Sequence, residues 1–267
     1  MWSKVIPSIP WPLARRRHSS AVIGQRLFVF GGELSDGTSS NELWMFDTIT
    51  KYWLQVAVTS DVAPLPVFGH TLTAVNSSHL YVIGGASQSG QAQSDVFRID
   101  VTLASRDSQW ENVRIRNSNA HLLARIGHSS TYHPPSNTIY VFAGTVHTTR
   151  YNSRLTNDVM SFQLTERIVT SLPQSCRNME FAHIPSFRDY CAPSARAFHS
   201  AHLLGRDTML VFGGRAHEHD AIETCYDDVL ALYSLSCNSW MPTSTLFPRG
   251  KRVLRTRLNC HKSPENS

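Results

Sequence analysis

The chain has 267 residues, 41% of them hydrophobic and 17% charged, which is typical of a folded globular protein and excludes a disordered one. No run approaches the roughly 18 consecutive apolar residues of a membrane-spanning helix, so we expect no membrane insertion by this segment. Much of the net charge of +5 lies near the C-terminus, which argues against a uniformly basic surface and a nucleic-acid partner.

The N-terminal segment lacks the apolar run of a signal peptide, because prolines and Arg15 interrupt it. We therefore expect either an intracellular protein or a piece of a longer secreted chain. The run Arg15-Arg16-Arg17 that follows could contact an acidic partner, but we expect solvated charge at the start of a strand.

Four related segments come next, over about 13–54, 66–111, 124–172 and 195–241. Each begins near a histidine, continues into an apolar run that ends at glycine, and then has an acidic or amide residue, a second apolar run and a closing aromatic residue. The repeated glycines are Gly31, Gly32, Gly84, Gly85, Gly144, Gly213 and Gly214, and the closing aromatics are Trp53, Trp110 and Trp240. The third segment is a diverged copy with Ala143 at the first glycine position and no closing Trp.

Each segment predicts four short antiparallel strands, because β-branched and aromatic runs are bounded by glycine and polar turns. Helical spacing is nowhere sustained. The glycines indicate positive φ or a close backbone approach, where a Cβ atom would clash.

A pair of glycines after an apolar strand, with a Trp 21 to 26 residues later, resembles the kelch repeat. The resemblance implies an all-β, kelch-type β-propeller of four-stranded blades around a central channel. It covers residues 1–245, and we expect 246–267 to be a basic, disordered tail. Kelch propellers resemble closed rings of about six blades, so four recognisable blades predict an incomplete propeller. We expect a fragment, a splice form or an inaccurate gene model, in which Trp2 would end a blade whose beginning is missing.

The fourth repeat carries Cys225, Cys237-Asn238-Ser239-Trp240 and the run from Tyr226 to Tyr233. This pattern resembles the attractin family and related large proteins with many epidermal-growth-factor-like modules. The resemblance implies an extracellular or cell-surface location, within a longer chain that is membrane-anchored or secreted. The alternative location is cytoplasmic.

Five cysteines leave at least one unpaired within the chain. In a four-stranded blade, Cys225 shares a face with the connection that holds Cys176 and Cys191. Cys225 can therefore pair with either of them, or those two can pair together. The alternative is reduced thiols in an intracellular protein. Asn76-Ser77-Ser78 is a glycosylation sequon in a predicted turn.

No catalytic motif is present, and we expect a protein that is not an enzyme and needs no cofactor. Histidines at equivalent positions of every repeat indicate a structural role. His217, His219, Asp220 and Cys225 lack the paired spacing of an ordered zinc site, so we expect no metal there. A copper or iron oxidoreductase would need a ligand set that we do not find.

Propellers of this type bind partners through loops on one face. The predicted loops on that face are 33–40, 86–93, 145–156 and 215–224, and the residues expected to anchor a partner are Arg150, Tyr151, Arg154 and Arg215. We expect the partners to be proteins, whose identity the sequence does not give. The first hypothesis is an extracellular, attractin-like interaction module, and the alternative is an intracellular kelch adaptor that presents ubiquitin-ligase substrates or binds the cytoskeleton.

Overall fold

The computed structural model describes residues 10–102, 108–147, 153–172, 175–176, 192–217, 223–225, 231–241 and 258–259. These residues form four antiparallel sheets that lie side by side as the blades of a β-propeller, which confirms the predicted all-β fold. Within the described part of the chain, no helix is both long and apolar enough to cross a membrane.

Blade 1 has the strand order β2-β3-β5-β6 from the centre outwards, and the short strands β1 and β4 pair above it. Its strands are β1 Arg15–Arg16, β2 Ser19–Ile23, β3 Arg26–Phe30, β4 Glu33–Leu34, β5 Leu43–Asp47 and β6 Trp53–Gln55. The turn into β6 is held by Asp47, whose carboxylate accepts the N–H groups of Ile49 and Thr50 at 2.8 and 2.9 Å.

Blade 2 repeats this arrangement in the order β7-β8-β9-β10. Its strands are β7 Thr71–Val75, β8 His79–Ile83, β9 Val96–Asp100 and β10 Trp110–Asn112. Both faces of β7 and β8 are largely buried, because this blade has a neighbour on each side.

Blade 3 carries longer strands than the sequence predicts. It comprises a 3₁₀ helix Ser118–Leu123, β11 Arg125–Ile126, β12 Ser129–His133, a 3₁₀ helix Pro134–Ser136, β13 Thr138–His147, β14 Ser153–Gln163 and β15 Ile168–Leu172. The pairing of β13 with β14 shifts between Phe142 and Gly144 and then continues to His147 and Ser153. Most of the loop predicted over 145–156 is therefore strand, and that prediction was wrong because backbone pairing continues past the bulge.

Blade 4 has the order β17-β18-β21-β22, with β16 added in parallel at the outer edge. Its strands are β16 Ser175–Cys176, β17 Ser200–Leu204, β18 Thr208–Phe212, β19 Arg215–His217, β20 Glu223–Cys225, β21 Ala231–Ser234, β22 Ser239–Met241 and β23 Leu258–Asn259. Strand β23 pairs with β20. Apart from β23, the tail predicted over 246–267 lies outside the described residues, as does Trp2.

Three hydrophobic clusters hold the four blades together, one between each successive pair. Trp110 of blade 2 packs on Phe30 of blade 1, and Trp240 of blade 4 packs on Phe142 of blade 3, with ring centroids 5.2 and 5.1 Å apart. Trp53 faces away from blade 2 and is half-buried. The outermost faces of the described arc are correspondingly open, with Val22 59% and Phe212 51% exposed.

Candidate functional site

The innermost strands β2, β7, β12 and β17 surround a central cavity of about 660 Å³. Hydroxyl and imidazole groups make up much of its lining. The residues with hydroxyl groups are Ser19, Ser20, Thr71, Thr73, Ser129, Ser130 and Ser200. Thr73 and Ser130 hydrogen-bond to each other between neighbouring inner strands. Apolar side chains, among them Val22, Leu72 and Phe198, line the rest, so the cavity is of mixed polarity, and its walls come from all four blades.

The repeated glycines lie where two blades meet, in contact with the repeated histidines. A Cβ atom on Gly31 would lie 2.6 Å from His70 Cε1, and one on Gly84 would lie 2.6 Å from His128 Cε1. The second glycine of each pair packs on the histidine of its own blade, since a Cβ atom on Gly85 would lie 2.7 Å from His70 Cβ. The glycines thus allow each histidine to fit between blades.

Ala143 takes the first glycine position in blade 3 with φ 58°, fully buried. All the glycines predicted as structural have positive φ, from 64° at Gly31 to 100° at Gly214. The sequence predicts positive φ or a close backbone approach at these glycines, and both features are present at Gly31, Gly32, Gly84, Gly85, Gly144 and Gly214.

The histidines at the junctions are held in the neutral form. Burial lowers the pKa of His70 to about 4 and that of His199 to about 3, and it lowers the pKa of His128 well below its usual value. Hydroxyl groups of the preceding blade hydrogen-bond to Nε2, from Thr71 to His128 at 3.1 Å and from Ser129 to His199 at 2.8 Å. His128 and His199 therefore connect blades as neutral hydrogen-bonding groups, whereas His70 does so by packing on Phe30 and the first glycine position of blade 1.

Buried arginines fix the segment that leads into each of three blades. Arg125 is 1% exposed and donates to the Ala143 carbonyl at 2.7 Å and to the Asp158 carboxylate at 3.0 Å. Burial opposes ionisation of Asp158, but the hydrogen bond and charge of Arg125 outweigh it and lower the pKa of that carboxyl. Arg15 makes the same contacts with the Gly31 carbonyl and Glu42, at 3.0 and 2.8 Å.

The expectation of solvated charge at 15–17 was therefore wrong for Arg15, whose side chain is 4% exposed. Arg196 is the corresponding residue in blade 4 and donates to the Gly213 carbonyl at 2.8 Å. From sequence, Arg15 belongs to a charged run and Arg125 and Arg196 have no predicted role, although each of the three stands three residues before a repeat histidine. That regular spacing was the available signal.

The residue just before each repeat histidine forms a rim around one end of the channel. These four rim residues are Arg17, Gly69, Gly127 and Phe198. Their backbones hydrogen-bond in sequence, from Gly69 N–H to the Arg17 carbonyl, from Gly127 N–H to the Gly69 carbonyl and from Phe198 N–H to the Gly127 carbonyl, at 2.7–2.8 Å. The rim thus joins all four blades.

Two arginines and two aromatic rings meet at this rim, and we call Arg17, Phe68, Phe198 and Arg215 the channel mouth. The Arg17 guanidinium lies 5.5 Å from the Phe68 ring centroid and 5.6 Å from that of Phe198. Arg215 lies over the same Phe198 ring at 4.6 Å. These are cation–π distances, and the Arg17 contact with Phe198 brings the first and fourth blades together.

The described parts of the segments predicted to share the binding face lie at this end of the channel. In each blade, the segment leading in pairs with the segment after the second strand, as Arg16 does with Glu33 and Ala197 with Arg215. Of the predicted anchors, Arg215 is in the channel mouth, and Arg154 is exposed on β14 opposite Val146. Arg150 and Tyr151 lie outside the described residues. We call this end of the propeller the mouth face.

The remaining candidate residues are placed only in part. Cys176 lies in β16 and Cys225 in β20, in different sheets, but their side chains and all of Cys191 are outside the described part, so the disulfide remains a prediction. His219 and Asp220 are also outside it. Among the residues described, no three His, Cys, Asp or Glu side chains are grouped to hold a metal ion.

Asn76 is exposed in the turn between β7 and β8, with φ 53°. Its Oδ1 accepts a hydrogen bond from the Tyr132 hydroxyl at 3.0 Å. A glycan is attached through Nδ2, so this contact is compatible with glycosylation.

Comparison with known proteins agrees with this architecture. A family model described as the Attractin/LZTR1 beta-propeller matches residues 1–258. The chain is similar to mouse multiple epidermal growth factor-like domains protein 8, with 32% identity over 245 residues, or 90% of this chain. The human protein of that name is 31% identical over the same share. Protein tag-53 of Caenorhabditis elegans is 25% identical over 260 residues, 92% of this chain and 17% of its own length. The chain spans 8% of the length of the mouse and human relatives.

Proposed function

Because the chain belongs to the Attractin/LZTR1 β-propeller family, we propose that it is a non-catalytic protein-interaction module that binds its partners through the mouth face. The observation that carries this proposal is the channel mouth, where arginines lie over the exposed ring of Phe198 and the half-buried ring of Phe68. Arginine and aromatic residues are enriched among the side chains that dominate binding energy at protein interfaces.

Rigid blades support the variable segments that would contact a partner. The rim is held by backbone hydrogen bonds between blades, and the segments that lead into the blades pair with those that follow the second strands. Such a frame lowers the entropy cost of ordering a binding surface. The exposed Arg154 on β14 extends this surface beyond the mouth.

Removing arginines from the two ends of the propeller tests which end binds. We expect the double substitution Arg154→Ala and Arg215→Ala to abolish partner capture, measured by quantitative mass spectrometry on cell-surface and cytosolic fractions. The matched control is Arg26→Ala and Arg206→Ala, because both arginines lie at turns on the opposite end. Equal capture by the wild type and both double variants would refute the proposal.

We further propose that the module belongs to an extracellular, attractin-like protein. The support is the likeness to relatives named for epidermal-growth-factor-like domains and the exposed sequon at Asn76. The alternative is an intracellular kelch adaptor, since the same family description also includes LZTR1.

Non-reducing peptide mapping of protein from its natural source separates these two locations. A bridge from Cys225 to Cys176 or Cys191, or a glycan on Asn76, would support the extracellular proposal. Reduced thiols together with an unmodified Asn76 would support the intracellular adaptor. Stoichiometric copper or iron in that same preparation would contradict the proposal of a non-catalytic module.

A further inference from the structure

All four rim residues have a left-handed backbone, but only two of them are glycine. Gly69 and Gly127 have φ values of 65° and 67°, and Arg17 and Phe198 have 54° and 57°. Glycine adopts this conformation without penalty, whereas a residue with a Cβ atom is strained. Blades 2 and 3 therefore have glycine, which the left-handed conformation favours, at the rim position, whereas blades 1 and 4 have Arg17 and Phe198 there.

The two strained residues are in contact at the channel mouth. The Arg17 guanidinium lies 5.6 Å from the Phe198 ring centroid, and Phe198 remains 38% exposed. Neither side chain is buried in a cluster between blades. Backbone strain at exposed residues with little role in the core is typical of binding sites.

Charges around the mouth indicate what would bind there. Glu33 accepts two hydrogen bonds from Arg16, at 3.1 and 2.7 Å, and lies 3.7 Å from Arg17. The hydrogen bonds with Arg16 lower the pKa of Glu33, so this carboxylate is ionised. Its stronger contact is with Arg16, and Arg17 remains a guanidinium 37% exposed beside two aromatic rings.

We propose, on the basis of the function proposed above, that the channel mouth binds an acidic segment of a protein partner. A carboxylate of that segment accepts hydrogen bonds from Arg17, and an adjacent apolar side chain packs on Phe198. Guanidinium groups match the planar geometry of carboxylates. The strained conformations of Arg17 and Phe198 place a cation and an aromatic ring together where the two glycine rim residues could supply neither.

Fluorescence polarisation with short labelled peptides tests this inference. The probes contain a central Glu-Phe-Glu, and matched probes contain Gln-Phe-Gln or Lys-Phe-Lys. We expect the acidic probe to bind at least about tenfold more tightly than the amide probe, and Arg17→Gly to remove this preference, because it deletes a charged hydrogen bond. Arg206→Gln removes one arginine from the opposite end and should leave the preference intact.

Arg17→Gly also distinguishes a binding role from a structural one. Glycine relieves the strained φ, so the variant should unfold at a temperature no lower than that of the wild type while losing the acidic probe. Should Arg17→Gly lower the unfolding temperature, Arg17→Asn provides the same test, since Asn tolerates the left-handed region.

Equal binding of the acidic and amide probes, binding of neither, or an unchanged preference in both Arg17 variants would overturn the inference. The proposed function is tested separately by Arg154 and Arg215, whose substitution leaves Arg17 intact. If partner capture depends on Arg154 and Arg215 but the protein shows no preference for acidic peptides, the mouth face remains the proposed binding surface. The proposed acidic ligand is then rejected.

Discussion

Substituting Gly84 by alanine tests the packing of histidine on glycine between blades. The new Cβ atom would lie 2.6 Å from His128 Cε1, 2.8 Å from the Arg125 carbonyl oxygen and 3.0 Å from that of Leu123. Two of these three atoms belong to the backbone, so a side-chain rotation cannot relieve the contact. We expect Gly84→Ala to loosen the junction between blades 2 and 3.

Two costs contribute to the expected loss of stability. A left-handed conformation costs alanine about 1–2 kcal/mol, of which about 0.4–1 kcal/mol is regained because alanine restricts the unfolded chain. Overpacking of a tight contact adds about 1–3 kcal/mol. The sum predicts that the free energy of unfolding falls by about 3 kcal/mol, which a urea titration followed by circular dichroism would measure.

Gly90→Ala is the matched control. Gly90 has φ 81°, but nothing lies within 4 Å of a Cβ atom built there. Gly90→Ala should therefore lower the free energy of unfolding only through the backbone conformation, by about 1 kcal/mol. If Gly84→Ala destabilised the chain no more than Gly90→Ala, the packing of His128 on Gly84 would not explain the glycine.

Three further predictions concern the interior. Stability should fall from pH 7 to pH 5, because the unfolded state protonates histidine near pH 6.5 while His70, with a folded pKa of about 4, stays neutral. At 1.36 kcal/mol per pH unit, His70 contributes about 2 kcal/mol to this loss. His70→Gln should therefore make the fall of the free energy of unfolding with pH less steep. If the fall were equally steep in His70→Gln, another group would be responsible for it. Arg125→Met should lower the free energy of unfolding by about 3–5 kcal/mol, because it leaves Asp158 without its buried cation. Arg98→Met breaks the more exposed pair with Glu111 and should lower it by less than about 1 kcal/mol. Similar losses of stability for the two variants in thermal unfolding would contradict the burial argument. Trp240→Ala should lower the free energy of unfolding by about 4 kcal/mol, and Trp53→Ala clearly less, because Trp53 is only half-buried. Urea titrations that gave the reverse order would refute the assigned packing between blades.

The repeated pattern allowed the blades to be predicted from sequence, because each strand carries its own signal. Gly31-Gly32 and Gly84-Gly85 mark the end of the second strand of a blade, and Trp110 and Trp240 mark the outermost strand. The contact between Gly31 and His70 could not be predicted this way, because the two residues belong to different repeats and come together only when blades pack. Arg125 and Asp158 belong to one repeat, but they are 33 residues apart, so no local pattern indicates their pairing either.

The channel mouth was predicted only through Arg215. Arg17 and Phe198 lie in the first and fourth repeats, and no local pattern indicates that their side chains meet. Alignment of the repeats did contain one signal, since the position before the histidine is glycine in two repeats and Arg or Phe in the others. The extension of β13 and β14 was missed because Thr145-Val146-His147 fits a loop as well as a strand.

The junctions between blades also have a direction. In each one the earlier blade supplies the first glycine position and a rim carbonyl, and the later blade supplies the imidazole and a rim N–H. A second backbone hydrogen bond runs the opposite way at each junction, from Gly32 N–H to the Val67 carbonyl, from Gly85 N–H to the Arg125 carbonyl and from Gly144 N–H to the Arg196 carbonyl. The two sides of a junction therefore contribute different groups, in the same arrangement each time. Substitutions on the two sides therefore affect different neighbours. Altering Gly31 weakens its packing on blade 2, which follows it, and altering Trp240 weakens its packing on blade 3, which precedes it.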